Sequence, residues 1–369
     1  MNKFDRYIAK NIFTTTLFAV AILSGVFLLG NIFKEARPLF VGKHPSPLLI
    51  FQFILSVLPF SLMFTIPFSF LAAVMLVFGR LSADNEILSM RMSGQSLPRV
   101  ALPVFVVATI LSAFCFWLNV EVAPKAKSRV KTLLYDAVKE DPNKFLDPGV
   151  VQTQLKDKRI YVRERKDNTL YGLHIHDVAA IDKSYASNFY VYAESALIYV
   201  DLDSNQIKLK LENAFALQDD TNGTKMPITV GDVDPVLFSF DSKKKRRIKA
   251  SGLTNNEIRD YLANDPDAQK LTPKKRAKFS NAVTFRQSFS FACLAFAIMG
   301  VPLGIGARRK DTSTGFVLSL ALGLGYFLFH IFAGQTKSDG SIGSTILFWL
   351  PNIIALIIGL WLFRRARFK

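Results

Sequence analysis

Apolar residues along this chain gather into long uncharged runs near both ends and thin out between them. The first run, Ile12 to Phe33, carries no charge, and a helix rising about 1.5 Å per residue covers roughly 30 Å over that length, the thickness of a bilayer's hydrocarbon. Val100 to Val120, closed by Arg99 and Glu121, repeats the pattern, as do Ser288 to Ala307, Thr312 to Gly334 and Ile346 to Phe363. Leu48 to Gly79 is longer and holds Pro59 and Pro67. It is too long for one straight crossing and too short for two, which predicts an interfacial or kinked helix leading into the second crossing. Six crossings result, and the first lacks the small-residue cleavage pattern of a signal peptide.

Between the two triplets of crossings, Val122 to Asn281 is polar. Val122 to Asp141 predicts a helix leaving the membrane, ended by Asp141 and Pro142. Strand signals follow at Arg159 to Arg163, Tyr171 to Asp177 and Phe189 to Tyr192. Ile207, Leu209 and Leu211 alternate with Lys208, Lys210 and Glu212, the signature of one buried and one wet face. Ala196 to Leu202 and Gln206 to Leu211 predict a hairpin through Asp203, Ser204 and Asn205, and Pro227 to Val230 and Val236 to Phe240 extend the series. An antiparallel sandwich or open roll over 122–250 is the economical fold. Lys243 to Arg247, five cations in a row, opens a return linker that reaches 282 and holds a short helix near Leu253 to Leu262. The chain thus divides into 1–121, 122–250, 251–282 and 283–369.

Composition changes this picture little: 50% of residues are hydrophobic and 33 are phenylalanine, as in a polytopic membrane protein. The formal charge of +17 points to anionic lipid rather than nucleic acid, because the aromatic residues sit in the apolar runs and form no base-stacking platform. Its distribution orients the chain. Thirteen cations, among them Lys3, Arg6, Arg80, Arg91, Arg308 and Arg365, fall on the side of the termini, against Lys34, Arg37, Lys43 and Lys337 in the short loops opposite; the long insert, with Lys125, Lys127, Arg129, Lys131 and the Lys274 to Lys278 run near membrane ends, is largely exempt from the comparison. The termini are therefore expected in the cytoplasm and the insert in the periplasm. Cys115 and Cys293 lie in apolar runs and read as packing residues.

Catalytic patterns are missing: the sequence holds no phosphate-cradling loop, no His-Glu-x-x-His and no Gly-x-Ser-x-Gly. No metal site and no cofactor is expected on this chain. His174 and His176 share a strand face without a nearby third ligand. His330 is the only ionisable residue read as lying well inside a crossing, which fits helix packing or a substrate contact but no proton wire. Energy for any transport must come from outside the chain. The turn Ser82 to Gly94 is the place to deliver it: Ser82 or Asp84 is expected to cap a short helix, Asp84 and Glu86 suit its positive end, and Gly94 stops it. Ile87, Leu88, Met90 and Met92 would be presented to the cytoplasm beside Arg91, either as a docking plug or as an apolar side resting on lipid. Lys34, Arg37 and Lys43 either grip phosphates or snorkel to headgroups. Gly315, Ser319 and Gly323 form a small-residue face for close helix approach.

Phe-Asp-Arg-Tyr-Ile-Ala-Lys at 4–10, the 82–94 turn, Gly-Val-Pro-Leu-Gly-Ile at 300–305 with Arg308, Arg309 and Lys310, and Leu-Pro-Asn at 350–352 occur in that order. With them the chain resembles the LptF/LptG (YjgP/YjgQ) lipopolysaccharide-export permeases over essentially its whole length. The resemblance implies an α-helical membrane protein with six transmembrane helices and an inserted periplasmic β-jelly-roll domain. It further implies a second LptF/LptG-type permease, a cytoplasmic LptB-like ATPase dimer carrying the ATP and magnesium, and LptC/LptA-like jelly-roll bridge proteins. Asp84, Glu86, Ile87, Leu88, Met90, Arg91 and Met92 would then make the ATPase-coupling helix, and the first and fifth crossings a lateral gate. Lys34, Arg37 and Lys43 would meet glycolipid phosphates. The alternative is an inner-membrane scaffold that binds envelope partners without moving lipid.

Overall fold

The computed structural model describes residues 3–35, 47–140, 148–151, 158–166, 168–177, 189–201, 206–219, 225–229, 236–239, 250–269, 271–306, 312–335 and 342–367. They fall into a helical unit of residues 1–31, 54–130 and 248–369 and a β unit of 32–53 and 131–247.

In chain order α1 (Lys3–Glu35), α2 (Pro47–Ala83) and the short α3 (Glu86–Met92) precede α4 (Leu97–Trp117), which passes through a π-helical turn, Leu118–Val122, into α5 (Ala123–Glu140). After the insert come α6 (Asn255–Asn264), the single turn α7 (Pro266–Gln269), α8 (Pro273–Ser290), α9 (Ala292–Gly306), α10 (Thr312–Gln335) and α11 (Ile342–Arg367). Six stretches are long and apolar enough to cross a membrane: 3–31, 50–83, 97–130, 273–306, 317–335 and 343–366. Two sharpen or shift the expectation. Of the two readings of the proline-bearing run, interfacial or kinked, the structure has one continuous 37-residue helix, α2, with Pro59 and Pro67 inside it and no separate interfacial piece. Packing explains it: Phe70, Leu71, Val74, Met75 and Phe78 of α2 are fully buried at the centre of the core, and a helix held by neighbours tolerates proline. The fourth crossing starts well before Ser288, as α8, and breaks once at Phe291 before α9.

Helix α9 lies close against α2 because of its small residues. A Cβ on Gly300 would stand 3.1 Å from Val74 Cγ1, and one on Gly304 3.0 Å from Phe78 Cβ and 3.2 Å from the Met75 carbonyl. The Gly-Val-Pro-Leu-Gly motif is thus a contact surface. The return linker folds as expected, shifted by two residues. Thr254 caps α6, its hydroxyl accepting from Glu257 N while the Glu257 carboxylate accepts from Thr254 N, a reciprocal capping box.

The β unit is an antiparallel six-stranded sheet: β1 (Lys158–Lys166), β2 (Thr169–Asp177), β3 (Phe189–Asp201), β4 (Gln206–Asp219) and β5 (Lys225–Thr229) in sequence order, with β6 (Val236–Ser239) also on β4. The expected hairpin is present, Asp201 opposite Gln206. Phe189 to Tyr192 and Ala196 to Leu202, expected as separate strands, fall on one strand, Phe189–Asp201, with Leu202 outside the described residues. The alternation is what misleads: buried positions in β3 run Val191, Ala193, then Ala196, Ile198, so the period of two slips by one residue. It slips at the same level in β2 (Leu170, then Leu173 and Ile175) and β4 (Leu209, Leu211, then Ala216). The slip follows a line across the sheet through Arg163, Gly172, Glu194 and Asn213, with Gly172 at φ 62° and Asn213 at φ 50°. Such a transverse crease bends the sheet as aligned bulges do. A Cβ at Gly172 would meet Arg163 Cβ at 2.9 Å. Gly172→Ala is therefore expected to speed amide exchange in β1 and β2 about tenfold or more, since left-handed backbone alone costs an alanine roughly 1–2 kcal/mol.

Candidate functional site

The loop between α2 and α4 forms a rigid bracket. Its helix α3 has seven residues, and its N-cap is Asn85 at φ 58° with no side-chain capping bond. Neither Ser82 nor Asp84 caps it, contrary to expectation, because the Ser82 hydroxyl donates to the Ile305 carbonyl at 3.2 Å and Asp84 lies in the preceding turn. The stop at Gly94 is as expected. Gly94 N donates to Arg91 O and Gln95 N to Met90 O, the paired bonds of a Schellman motif closed by a glycine at φ 85°.

The four apolar residues of α3 divide. Ile87 and Met90 are 4% and 5% exposed and belong to the chain's own core with Ile8, Leu81, Leu97 and Val301, so they anchor the helix rather than being presented. Leu88 and Met92 are 54% and 82% exposed and make the outward face. Glu86 is half-buried and accepts from the Tyr7 hydroxyl at 3.4 Å. Arg91 is half-buried and Asp84 exposed. Nearby, Arg99 at the start of α4 donates to Asp5 at 2.9 Å, Asp5 being buried. Asp5, Tyr7, Arg99 and Asn85 were not singled out from sequence. The Phe-Asp-Arg-Tyr motif carried the signal, but its pairing needs the approach of residues some 80 to 90 positions later.

The other expected site residues are placed as follows. Arg37 and Lys43 lie outside the described residues, and Lys34 falls in the last turn of α1. Gly315 lies in α10. Ser319 is buried, and Gly323 faces α2, where a Cβ would come within 2.9 Å of Phe68 Cδ1. Ser319 and Gly323 thus pack within the chain. The outward side of α10 is made by Val317, Leu320, Leu324, Leu328 and Phe332. Cys115 and Cys293 are buried in the core. His174 Nδ1 is bonded to the Tyr190 hydroxyl at 2.6 Å, between the rings of Tyr161 and Tyr192.

A polar network occupies the break between α8 and α9. The Asn352 amide donates to the Ser288 carbonyl at 2.9 Å, and its oxygen accepts from the Tyr326 hydroxyl at 2.9 Å. His330 is 1% exposed; its ring nitrogens lie 3.1 Å from the Tyr326 carbonyl and 3.5 Å from Ser288 Oγ. Across the bundle Asn119 donates to Ser290 Oγ at 2.8 Å. The asparagine of Leu-Pro-Asn therefore serves a carbonyl at the helix break, and His330 is a packing histidine. Asn352→Leu is expected to lower stability in detergent by about 0.6–2 kcal/mol. The loss should be less than additive with Tyr326→Phe, read from thermal unfolding of the double-mutant cycle.

A buried cation of the fourth crossing escaped the sequence reading. Arg286, 6% exposed, donates through Nη1 to the Leu253 carbonyl at 2.7 Å and Asn255 Oδ1 at 3.0 Å, and through Nη2 to the Ala250 carbonyl at 2.8 Å. It ties the return linker to α8. Placing the start of the apolar run at Ser288 left this arginine just outside it.

The family model described as lipopolysaccharide export system permease LptF/LptG matches residues 6–365. A protein of Rickettsia prowazekii (strain Madrid E), described as uncharacterised, is 19% identical over 372 residues, covering 99% of each chain.

Proposed function

Because the chain belongs to the lipopolysaccharide export system permease LptF/LptG family, a family of multi-pass inner-membrane transport proteins, we propose that it is the permease subunit of an ATP-driven exporter. It extracts lipopolysaccharide or a related glycolipid from the inner membrane and passes it through its periplasmic β unit to jelly-roll bridge proteins. A cytoplasmic ATPase dimer seats on α3, and a second permease of the same family completes the cavity. The observation that carries this reading is the division of α3. Leu88 and Met92 form an outward apolar face, while Ile87 and Met90 fix the helix to the core that also contains α2, α4 and α9. A push on α3 is then transmitted to three crossings at once, since packed side chains move as units. Ser82 adds a direct bond from the bracket to the end of α9.

The β unit suits onward transfer. Among the described residues its strands end at β1 on one side, where only Pro148 bridges to Val162, and at β5 and β6 on the other, and strand addition at such margins extends a sheet from one protein into the next. Lys34, Arg37 and Lys43, which follow the first apolar run in the sequence, are the proposed contacts to the glycolipid phosphates. Purification from the native membrane tests the proposal. An ATPase and a second permease are expected to co-elute stoichiometrically with bound glycolipid; envelope proteins without an ATPase would favour the scaffold instead.

A further inference from the structure

Within the helical unit lies a cavity of about 440 Å³, formed where the α4 to α5 junction, the return linker at Ala250 and Ser251, α8 and α10 come together. Phe60, Phe64, Phe285 and Phe348 give it aromatic walls. Its charged groups are all cations, beside the neutral Asn119, Ser251, Asn281 and His330. Arg286 lines it with three of five guanidinium donors bonded, all to neutral acceptors. No carboxylate among the described residues lies within ion-pair distance of it. Guanidinium stays charged at any physiological pH; Glu257 acts on it only from beyond ion-pair distance, so its direct partners are all neutral and two donors are left for an anion in the cavity. Lys127 and Lys278 line the same cavity, Lys127 Nζ resting 4.7 Å from the centre of the Phe60 ring. Asn119, 1% exposed, also lines it, and its Oδ1 is buried without a hydrogen-bond partner although Nδ2 is bonded to Ser290.

We infer that this cavity binds an anionic phospholipid whose head carries a phosphate beside a hydroxyl. The phosphate answers Arg286, Lys127 and Lys278, the hydroxyl donates to Asn119 Oδ1, and part of one acyl chain lies on the phenylalanine walls. Size separates this site from a cargo path. A volume of about 440 Å³ takes a drug-sized body, which is one headgroup and a segment of chain, far less than a glycolipid bearing several acyl chains. The site belongs to one chain and needs neither a second permease nor an ATPase, so it does not rest on the transport reading.

Native mass spectrometry of the full chain with its co-purified partners, titrated in detergent without ATP, tests it. Phosphatidylglycerol is the probe, with phosphatidylethanolamine and lipopolysaccharide in separate arms. One phosphatidylglycerol per chain is expected, at least tenfold tighter than phosphatidylethanolamine. A photoreactive phosphatidylglycerol should label peptides within 119–127 or 278–286. The double variant Lys127→Gln, Lys278→Gln leaves the Arg286 bonds to the linker intact and is expected to weaken binding about tenfold or more. Equal binding of the two phospholipids, unchanged binding by the double variant, labelling elsewhere, or displacement of the bound lipid by lipopolysaccharide would each overturn the assignment. Since no ATP enters the measurement, its failure leaves the transport reading standing, and failure of transport leaves this one standing.

Discussion

Glu86→Arg is expected to abolish ATP-driven release of lipopolysaccharide from a reconstituted complex while the chain still inserts in the membrane. Glu86 opens α3, where the backbone presents its positive end, and accepts from the Tyr7 hydroxyl. An arginine there sets cation against helix dipole, removes the Tyr7 bond and reverses the charge offered to the ATPase. At a desolvated interface the disruption of one charged, hydrogen-bonded group costs about 2–5 kcal/mol, some 30-fold to several thousand-fold in affinity. Co-elution of the ATPase and the rate of release measure it. Tyr7→Phe separates the contributions: it removes only the intramolecular bond, long at 3.4 Å, and should change release by less than about fivefold. Leu88→Asp and Met92→Asp should mimic the reversal, whereas Ile87→Ala should lower stability, because Ile87 is core. Unchanged ATPase binding and release in Glu86→Arg would remove α3 from the coupling path.

Gly359→Leu should be the most damaging single substitution in the second half of the bundle. A Cβ at Gly359 would lie 2.3 Å from Ile298 Cγ2 and 2.9 Å from the Ile298 carbonyl carbon and oxygen. The side-chain clash could relax by a rotamer change, but the backbone contacts cannot. α11 must therefore move off α9, and overpacking of this kind costs about 1–3 kcal/mol or more. Gly359→Ala should show a smaller loss of the same kind, and adding Ile298→Ala should restore only part of it. Thermal unfolding in detergent checks both. A Gly359→Leu protein with native stability would mean that α9 and α11 do not meet this closely.

Most of the helical architecture could be read in the sequence because uncharged runs of bilayer length have few alternatives. Their ends could not. Charge placed the fourth crossing at Ser288, but Arg286 bonds to Ala250, Leu253 and Asn255 of the return linker, and no local pattern announces partners more than 30 residues away. The strands of the β unit were legible wherever alternation held, as at Leu209 and Leu211. They were cut in two at Glu194 and Ser195, where a crease running through several strands shifts the phase. The 82–94 turn stood out by its acids, its methionines and Gly94. Which of its apolar residues face outward depends on where α3 rests, and only tertiary packing separates Ile87 and Met90 from Leu88 and Met92. Likewise the small residues at 315, 319 and 323 stood out by spacing, yet the tightest glycine contact is Gly359 on Ile298, which no motif marks.

The most direct test of export by this chain is crosslinking in proteoliposomes. The chain is reconstituted with its co-purified ATPase and permease partner, lipopolysaccharide is supplied in the bilayer, and photoreactive groups are placed along the β unit. Crosslinks from β-unit positions to lipopolysaccharide are predicted to accumulate with time in ATP and magnesium, to stay at background with a non-hydrolysable nucleotide, and to vanish with Glu86→Arg. Crosslinks of equal yield with and without hydrolysis, or none at any β-unit position while ATP is consumed, would contradict it.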